Sequence, residues 1–242
     1  MNRFDSFADA LWKFHETGHA DLRIERDDGR VDREDVSWYF TSPREFPRYE
    51  NAALKFARGY VLDVGCGAGR HSLHLQRRCL RVTAMDSSPR IAELARMRGV
   101  KDVRVADACG KMPFHDGVFD TVILFGNNLG LCGTLPRFRR MLRELHRITS
   151  PRARILATTC QPSTTNPQHR SYLRQNIVRG RAVGQIRLRL VYRGVRGRWF
   201  ELLFMSPTDL MQIAQKENWE LAHVFTLENL EKGYSVVLEK KR

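Results

Sequence analysis

The stretch VLDVGCGAGRH, residues 61–71, constrains this chain more than any other. An apolar run carries an acid, Asp63, and three glycines follow on alternate positions at Gly65, Gly67 and Gly69. This is the pattern of a buried strand that enters a tight turn and then a helix. Downstream, further strand-like runs at 80–88, 101–108, 117–128 and 152–160 alternate with helical stretches at 88–100 and 135–150. Ser88 is placed to cap its helix, Pro89 suits the first turn, and Gly99 suits the end. In the longer helix Phe138, Met141, Leu142 and Leu145 share one face. Strands that alternate with helices in this way predict an α/β protein with a doubly wound, mostly parallel sheet.

The alternation breaks after Cys160. QPSTTNPQHRSY reads as a polar loop, followed by a short helix at about 169–179. QIRLRLVY, a turn RGVRG and RWFELLFMS read as a β-hairpin, with Ile186, Leu188 and Leu190 on one face and Arg187 and Arg189 on the other. A helix at 206–218 and strands at 219–227 and 234–240 then complete seven core strands. At the N-terminus Phe4, Phe7, Leu11 and Phe14 follow helical spacing. The expected organisation is a single domain over 1–242, with a helical cap at 1–50, a core at 55–160, an inserted helix and hairpin lid at 161–205, and the end of the sheet at 206–242. An insertion after the fifth core strand emerges at the carboxyl edge of the sheet, where ligands of such folds bind.

No apolar run reaches the 18 or so residues of a membrane span, and the N-terminus has no signal-peptide core. The five cysteines are scattered, none lies in a CxxC pair, and their odd number predicts a reducing, cytoplasmic setting without structural zinc or another metal site. The net charge of +14 is concentrated. Residues 137–199 hold 16 Arg, no Lys and a single acid, Glu144, for a net +15, which leaves −1 elsewhere. Two readings stand: an anionic partner, or an arginine-preferring composition, 33 Arg against 8 Lys, spread over a solvated surface.

A dinucleotide loop needs glycine five residues after the first, where this chain has Arg70. No G-K-[ST] follows the glycines, so a phosphate-cradling loop is excluded. The segment VLDVGCGAG instead resembles motif I of the class I S-adenosylmethionine-dependent methyltransferases, and the overall pattern resembles their type 11 small-molecule group. Asp86 ends the second core strand 21 residues after Gly65, and ADA occupies 106–108. The stretch 113–130 resembles the family's run into and beyond the fourth core strand. The fold this implies is a seven-stranded Rossmann-like sheet, and the implied cofactor is S-adenosylmethionine, leaving as S-adenosylhomocysteine. Its implied partners are Asp63 for the ammonium, the loop residues Gly65, Cys66, Gly67 and Gly69 at a helix N-terminus for the carboxylate, and Asp86 with Ser87 for the ribose. Asp107 and the Ala108 amide would hold the adenine, and Phe125 and Asn127 follow the fourth strand beside cofactor and acceptor. Trp38, Tyr39 and Phe40 are candidate walls over the cofactor.

The resemblance implies an enzyme that transfers methyl groups by in-line displacement. The family's base-amine motif is missing, since Gly126-Asn127-Asn128-Leu129 stands in its place. The expected acceptor is therefore a small metabolite, anionic if the insertion's arginines hold it, with Tyr39, Asn128, Arg170, Tyr172 and Arg187 as its contacts. His169, whose ordinary pKa lies near 6.5, is the candidate base; the competing reading is an exposed loop histidine. An RNA methyltransferase using the arginine-rich half is the alternative, disfavoured by the lack of an RNA-binding module. A non-catalytic cofactor-binding regulator is the other.

Overall fold

A computed structural model describes residues 5–227 and 229–241. In chain order the elements are α1 (Asp5–Thr17), β1 (Leu22–Arg26), β2 (Val31–Glu34), a 3₁₀ turn (Val36–Phe40), α2 (Arg48–Leu54), β3 (Tyr60–Val64), α3 (Arg70–Arg77), β4 (Arg81–Asp86), α4 (Pro89–Met97), β5 (Val103–Val105) and β6 (Phe119–Leu124). There follow a 3₁₀ turn (Asn128–Gly130), α5 (Leu135–Ile148), β7 (Thr149–Thr159), α6 (Pro167–Val178), β8 (Gln185–Tyr192), β9 (Val195–Arg196), β10 (Phe200–Leu203), α7 (Pro207–Lys216), β11 (Trp219–Thr226) and β12 (Tyr234–Lys240).

The core is a seven-stranded sheet ordered β11-β12-β7-β6-β3-β4-β5. The five strands from β5 to β7 run parallel, and β12 is antiparallel to both of its neighbours. Strand order reverses between β3 and β6, so the loops after these two strands open the crevice where such sheets bind ligands. Helix α4 starts as its sequence demands, with the Ser88 side chain accepting from the Ile91 amide and Pro89 in the first turn. Helix α5 buries Phe138, Met141, Leu142 and Leu145 completely. Trp219 closes that layer, its Nε1 donating to the Leu142 carbonyl at 3.1 Å.

The cap is not only helical. Residues 22–34 form a hairpin, and β1 pairs antiparallel with β8 of the insertion to build a second sheet, ordered β10-β8-β1-β2 with β9 beside β8. Charged residues dominate this stretch, so its only apolar residues are Leu22, Ile24 and Val31. Its turn, Asp28-Gly29, is a hairpin signature. Gly29 takes φ of +87° there. In the N-terminal helix Phe7, Leu11 and Phe14 pack inward; Phe4 lies outside the described residues.

Two cysteines expected to stand apart are joined. Cys109, after β5, and Cys132, after β6, form a disulfide with Cα atoms 5.5 Å apart. They lie 23 residues apart in sequence and meet because the sheet brings both loops to one edge. The cysteine count therefore does not support a reducing compartment for this pair. No helix among the described residues is long and apolar enough to cross a membrane.

Candidate functional site

The crevice after β3 and β6 opens into one cavity, floored by the core sheet's loops and roofed by the second sheet. Its floor includes Gly65, Cys66, Gly67, Asp86, Ser87, Asp107, Ala108, Phe125, Asn127 and Asn128. Tyr39, Trp38, Arg70, His71 and Glu34 stand at its sides. The roof is apolar, with Leu22, Ile24, Leu188, Leu190, Phe200 and Leu202 facing inward.

The glycine loop needs its glycines for packing. Gly65 has φ of +70°, and a Cβ there would sit 2.6 Å from Asn128 Nδ2. That amide belongs close by, because it donates to the carbonyls of Val64 and Gly65 at 3.0 and 2.8 Å, tying the loops after β3 and β6 together. Gly69 does not line the cavity. It is the N-cap of α3 at φ of +80°, and a Cβ would meet Val100 Cγ2 at 2.6 Å. Its glycine serves helix packing, which corrects its expected contact with the cofactor.

Asp63 is also absent from the lining. It is 2% exposed, and its Oδ2 accepts the Ser72 hydroxyl at 2.6 Å. Burial pushes its carboxyl up, opposed by the nearby His71, the Ser72 bond and Arg70. One of its two carboxylate oxygens is thus held by Ser72 at the start of α3. Asp86 does reach the cavity. Its Oδ1 accepts from the Ser88 amide at 2.9 Å and its Oδ2 from the Gly67 amide at 3.3 Å. Burial nevertheless raises it to about 6. Asp107 faces the cavity with one oxygen accepting from the Cys109 amide at 2.9 Å.

Three lining groups carry no sequence signal of their own. Arg70, where a dinucleotide loop would have glycine, is 7% exposed. Its Nη2 donates to both oxygens of buried Glu50 at 3.1 Å and its Nη1 to Thr41 Oγ1 at 3.1 Å. The guanidinium lies between the rings of Trp38 and Phe46, at 4.8 and 4.9 Å. These bonds use at most three of the five donors a guanidinium carries. His71 meets the same carboxylate at 3.2 Å and packs on Phe125 with centroids 4.7 Å apart. Glu34, at the end of β2, accepts the Tyr39 hydroxyl at 2.7 Å. The Tyr39 ring stands over the loop, its Cδ1 being 3.8 Å from where a Gly67 Cβ would be. Of the three aromatic walls expected, Phe40 turns away to pack on Phe14 and Arg98.

The insertion's polar residues are placed differently from expectation. None of His169, Arg170, Tyr172 and Arg187 lines the cavity. The His169 ring is engaged by Arg30 Nη1. Burial, Arg30 and Arg26 hold its pKa down. Tyr172 is 2% exposed; its hydroxyl donates to Asp27 and accepts from the Arg187 amide at 3.1 Å, and the Arg26 guanidinium covers its ring at 4.5 Å. Arg170 is exposed. Arg187 lies on the outer face of β8, opposite in parity to Leu188 and Leu190, with its guanidinium 5.4 Å from the Trp199 ring. The alternation in β8 is as its sequence suggests; its inward face is the apolar one, and these four residues lie outside the cavity lining.

Comparison with known proteins bears on the cavity. The sequence profile of the family described as "Methyltransferase domain" matches residues 62–157. A ubiquinone biosynthesis O-methyltransferase of Xanthomonas oryzae is 29% identical over 116 residues, 46% of this chain and 47% of the relative. A malonyl-[acyl-carrier protein] O-methyltransferase of Erwinia pyrifoliae is 35% identical over 101 residues, 41% of this chain and 36% of the relative. The chain thus spans less than half the length of these curated relatives. A SAM-dependent methyltransferase from Bacteroides fragilis, solved with S-adenosyl-L-homocysteine, superimposes with a TM-score of 0.83 at 25% identity, covering 99% of this chain and 96% of that one. Strand order, loop geometry and the matched stretch 62–157 agree: the chain has the Rossmann-like methyltransferase fold and is similar to S-adenosylmethionine-dependent methyltransferases.

Proposed function

We propose that this protein is an enzyme that transfers a methyl group from S-adenosylmethionine to a small acceptor held beneath the second sheet. The observation that carries this reading is the single cavity that joins the glycine loop, Asp86 and Asp107 to an apolar roof. The residues fit the cofactor's chemistry. Asp86 offers a carboxylate to two ribose hydroxyls, and Asp107 with the Ala108 amide suits an adenine edge. The loop amides at the start of α3 favour a carboxylate, and Arg70 adds a buried cation with unused donors. Phe125 and Asn127 border cofactor and acceptor, and Trp38 with Tyr39 covers the loop. Bound there, the cofactor supplies an electrophilic methyl on a sulfonium leaving group.

The protein's own part is alignment and exclusion of water. Holding both reactants in line is worth about 7–11 kcal/mol in well-oriented systems, and the roof from β1, β8 and β10 closes the reaction from solvent. Both matched relatives are named O-methyltransferases, which supports an oxygen acceptor. The direct test is titration calorimetry with S-adenosylhomocysteine. Binding of roughly micromolar strength, about −8 kcal/mol, is expected, weakened by on the order of 1–3 kcal/mol in Asp86→Ala. Folded protein that gives no heat with either S-adenosylhomocysteine or S-adenosylmethionine overturns the reading.

A further inference from the structure

Glu34 is unlike the other acids of the cavity. Asp86 and Asp107 belong to the core sheet's loops, whereas Glu34 comes from the end of β2 in the second sheet. Register places it opposite Leu22, on the inward face that carries the apolar roof. Among the described residues it has no salt-bridge partner, and the Tyr39 hydroxyl donates to it at 2.7 Å. Tyr39 in turn packs edge-on to Phe7, with centroids 4.9 Å apart, and stands over Gly67. A carboxylate oriented by one neutral donor keeps lone pairs for a second partner.

We propose that Glu34, oriented by Tyr39, is the proton acceptor for the methyl-accepting group, and that the acceptor is an uncharged, largely apolar compound bearing an acidic hydroxyl of the phenol type. This inference rests on the methyltransferase reading above. The roof residues Leu22, Ile24, Leu188, Leu190, Phe200 and Leu202 offer no polar partner to an acceptor's body. Arg70, the arginine that lines the cavity among the described residues, is bound to Glu50 and stacked on Trp38. An anionic acceptor body would therefore be desolvated against the apolar roof without a charge partner. A hydroxyl directed at Glu34 has one. As the acceptor oxygen bonds to the methyl carbon, the methyl–sulfur bond breaks and its electron pair stays on sulfur. The hydroxyl proton passes to the Glu34 carboxylate and then to solvent.

The electrostatics fit this role. Burial raises the Glu34 carboxyl, aided by the charge of Asp35 and opposed by the Tyr39 hydrogen bond. A carboxylate raised in this way is a stronger base toward a hydroxyl proton. The charged and titratable groups acting on it are Tyr39 from the 3₁₀ turn and Asp35 beside it; Arg70, His71, Asp86 and Asp107 line the same cavity. Tyr39 stays protonated, because burial and Glu34 push its phenol well above the ordinary value.

The test pairs Glu34→Gln with a series of phenols whose own pKa values run from about 10, as for an unsubstituted phenol, to well below the assay pH. For the least acidic phenols the wild-type rate should exceed the variant rate by about 10²–10⁴-fold, the usual worth of a general base. That ratio should fall below about fivefold for phenols already ionised at the assay pH, while S-adenosylhomocysteine affinity stays within threefold. A purely structural role for Glu34 would keep the ratio constant across the series, and that result overturns the inference. So does a loss of S-adenosylhomocysteine affinity beyond tenfold in the variant, which would make Glu34 a cofactor ligand. Wild-type protein that binds S-adenosylhomocysteine but methylates none of the phenols also overturns it and leaves the cofactor reading standing; protein that binds no S-adenosylhomocysteine sinks that reading instead.

Discussion

Asp86 shows how a binding residue works against the fold that holds it. Two backbone amides point at its carboxylate, yet burial still raises it above the ordinary aspartate range to about 6. The folded chain therefore holds this proton more tightly than the unfolded chain. Its contribution to stability is full below about pH 4 and is lost as pH rises to about 6. Replacing Asp86 by Asn removes that loss. The cofactor-free variant should be more stable than wild type at pH 7.5 by about 1–3 kcal/mol, and the difference should grow between pH 4 and 6 and then level off. Calorimetric melting across that range checks this; a difference independent of pH would show that Asp86 is ionised at no penalty. Asp63 makes the complementary point. Its position before the glycines reads as a ligand, but Ser72 takes its Oδ2 and the residue is not in the cavity lining.

At the scale of elements, α6 is a buttress. Asn176 donates to the carbonyls of Val183 and Gln185 at 3.0 and 2.7 Å, Arg181 pairs with Asp27, and Tyr172 bonds both the β1–β2 turn and β8. These contacts hold the insertion to the N-terminal hairpin, so the roof is assembled from two distant parts of the chain. Tyr172→Phe should destabilise the protein by about 1–2 kcal/mol, because it strands the Asp27 acceptor and the Arg187 amide. Hydrogen exchange over 167–178 should quicken, with S-adenosylhomocysteine affinity unchanged within threefold. An affinity loss beyond tenfold would return Tyr172 to the binding site. The helix, the hairpin and the interruption after Cys160 are legible in the sequence. Their docking onto β1 is not, because the second edge of β1, the one not paired with β2, is satisfied by a strand more than 160 residues away.

For the whole molecule the open question is the charge. Many arginines of 137–199 are already engaged within the fold. Arg139 and Arg143 share Glu217, Arg147 meets Glu144 and Asp116, Arg154 meets Glu239, and Arg189 and Arg196 share Glu25. They are spread over the core helix α5, the strand β7 and the outer face of the second sheet. A polyanion would find no continuous track with stacking platforms. RNA should therefore bind no tighter than about 10⁻⁶ M near physiological salt, with only non-specific salt-sensitive association. Filter binding that shows a tighter complex, lost on changing exposed Arg137 and Arg140 to Gln, would revive the RNA enzyme.

The sequence by itself determined the core. A glycine-rich turn after an apolar strand, acids at strand ends and the strand–helix alternation are local patterns, and each constrains backbone within a few residues of itself. From them the seven-stranded sheet and the floor of the cavity follow: Gly65, Gly67, Asp86, Asp107, Phe125 and Asn127. Only the tertiary structure decided the roof and the sides. Glu34 and Arg70 carry no motif; they become site residues because β1 pairs with β8 and because Glu50, Trp38 and Phe46 hold the guanidinium. The same long-range pairing turns Leu188 and Leu190 inward and Arg187 outward. Alternation along a strand defines two faces, but which face meets the cavity depends on what the strand packs against, and that partner lies elsewhere in the chain.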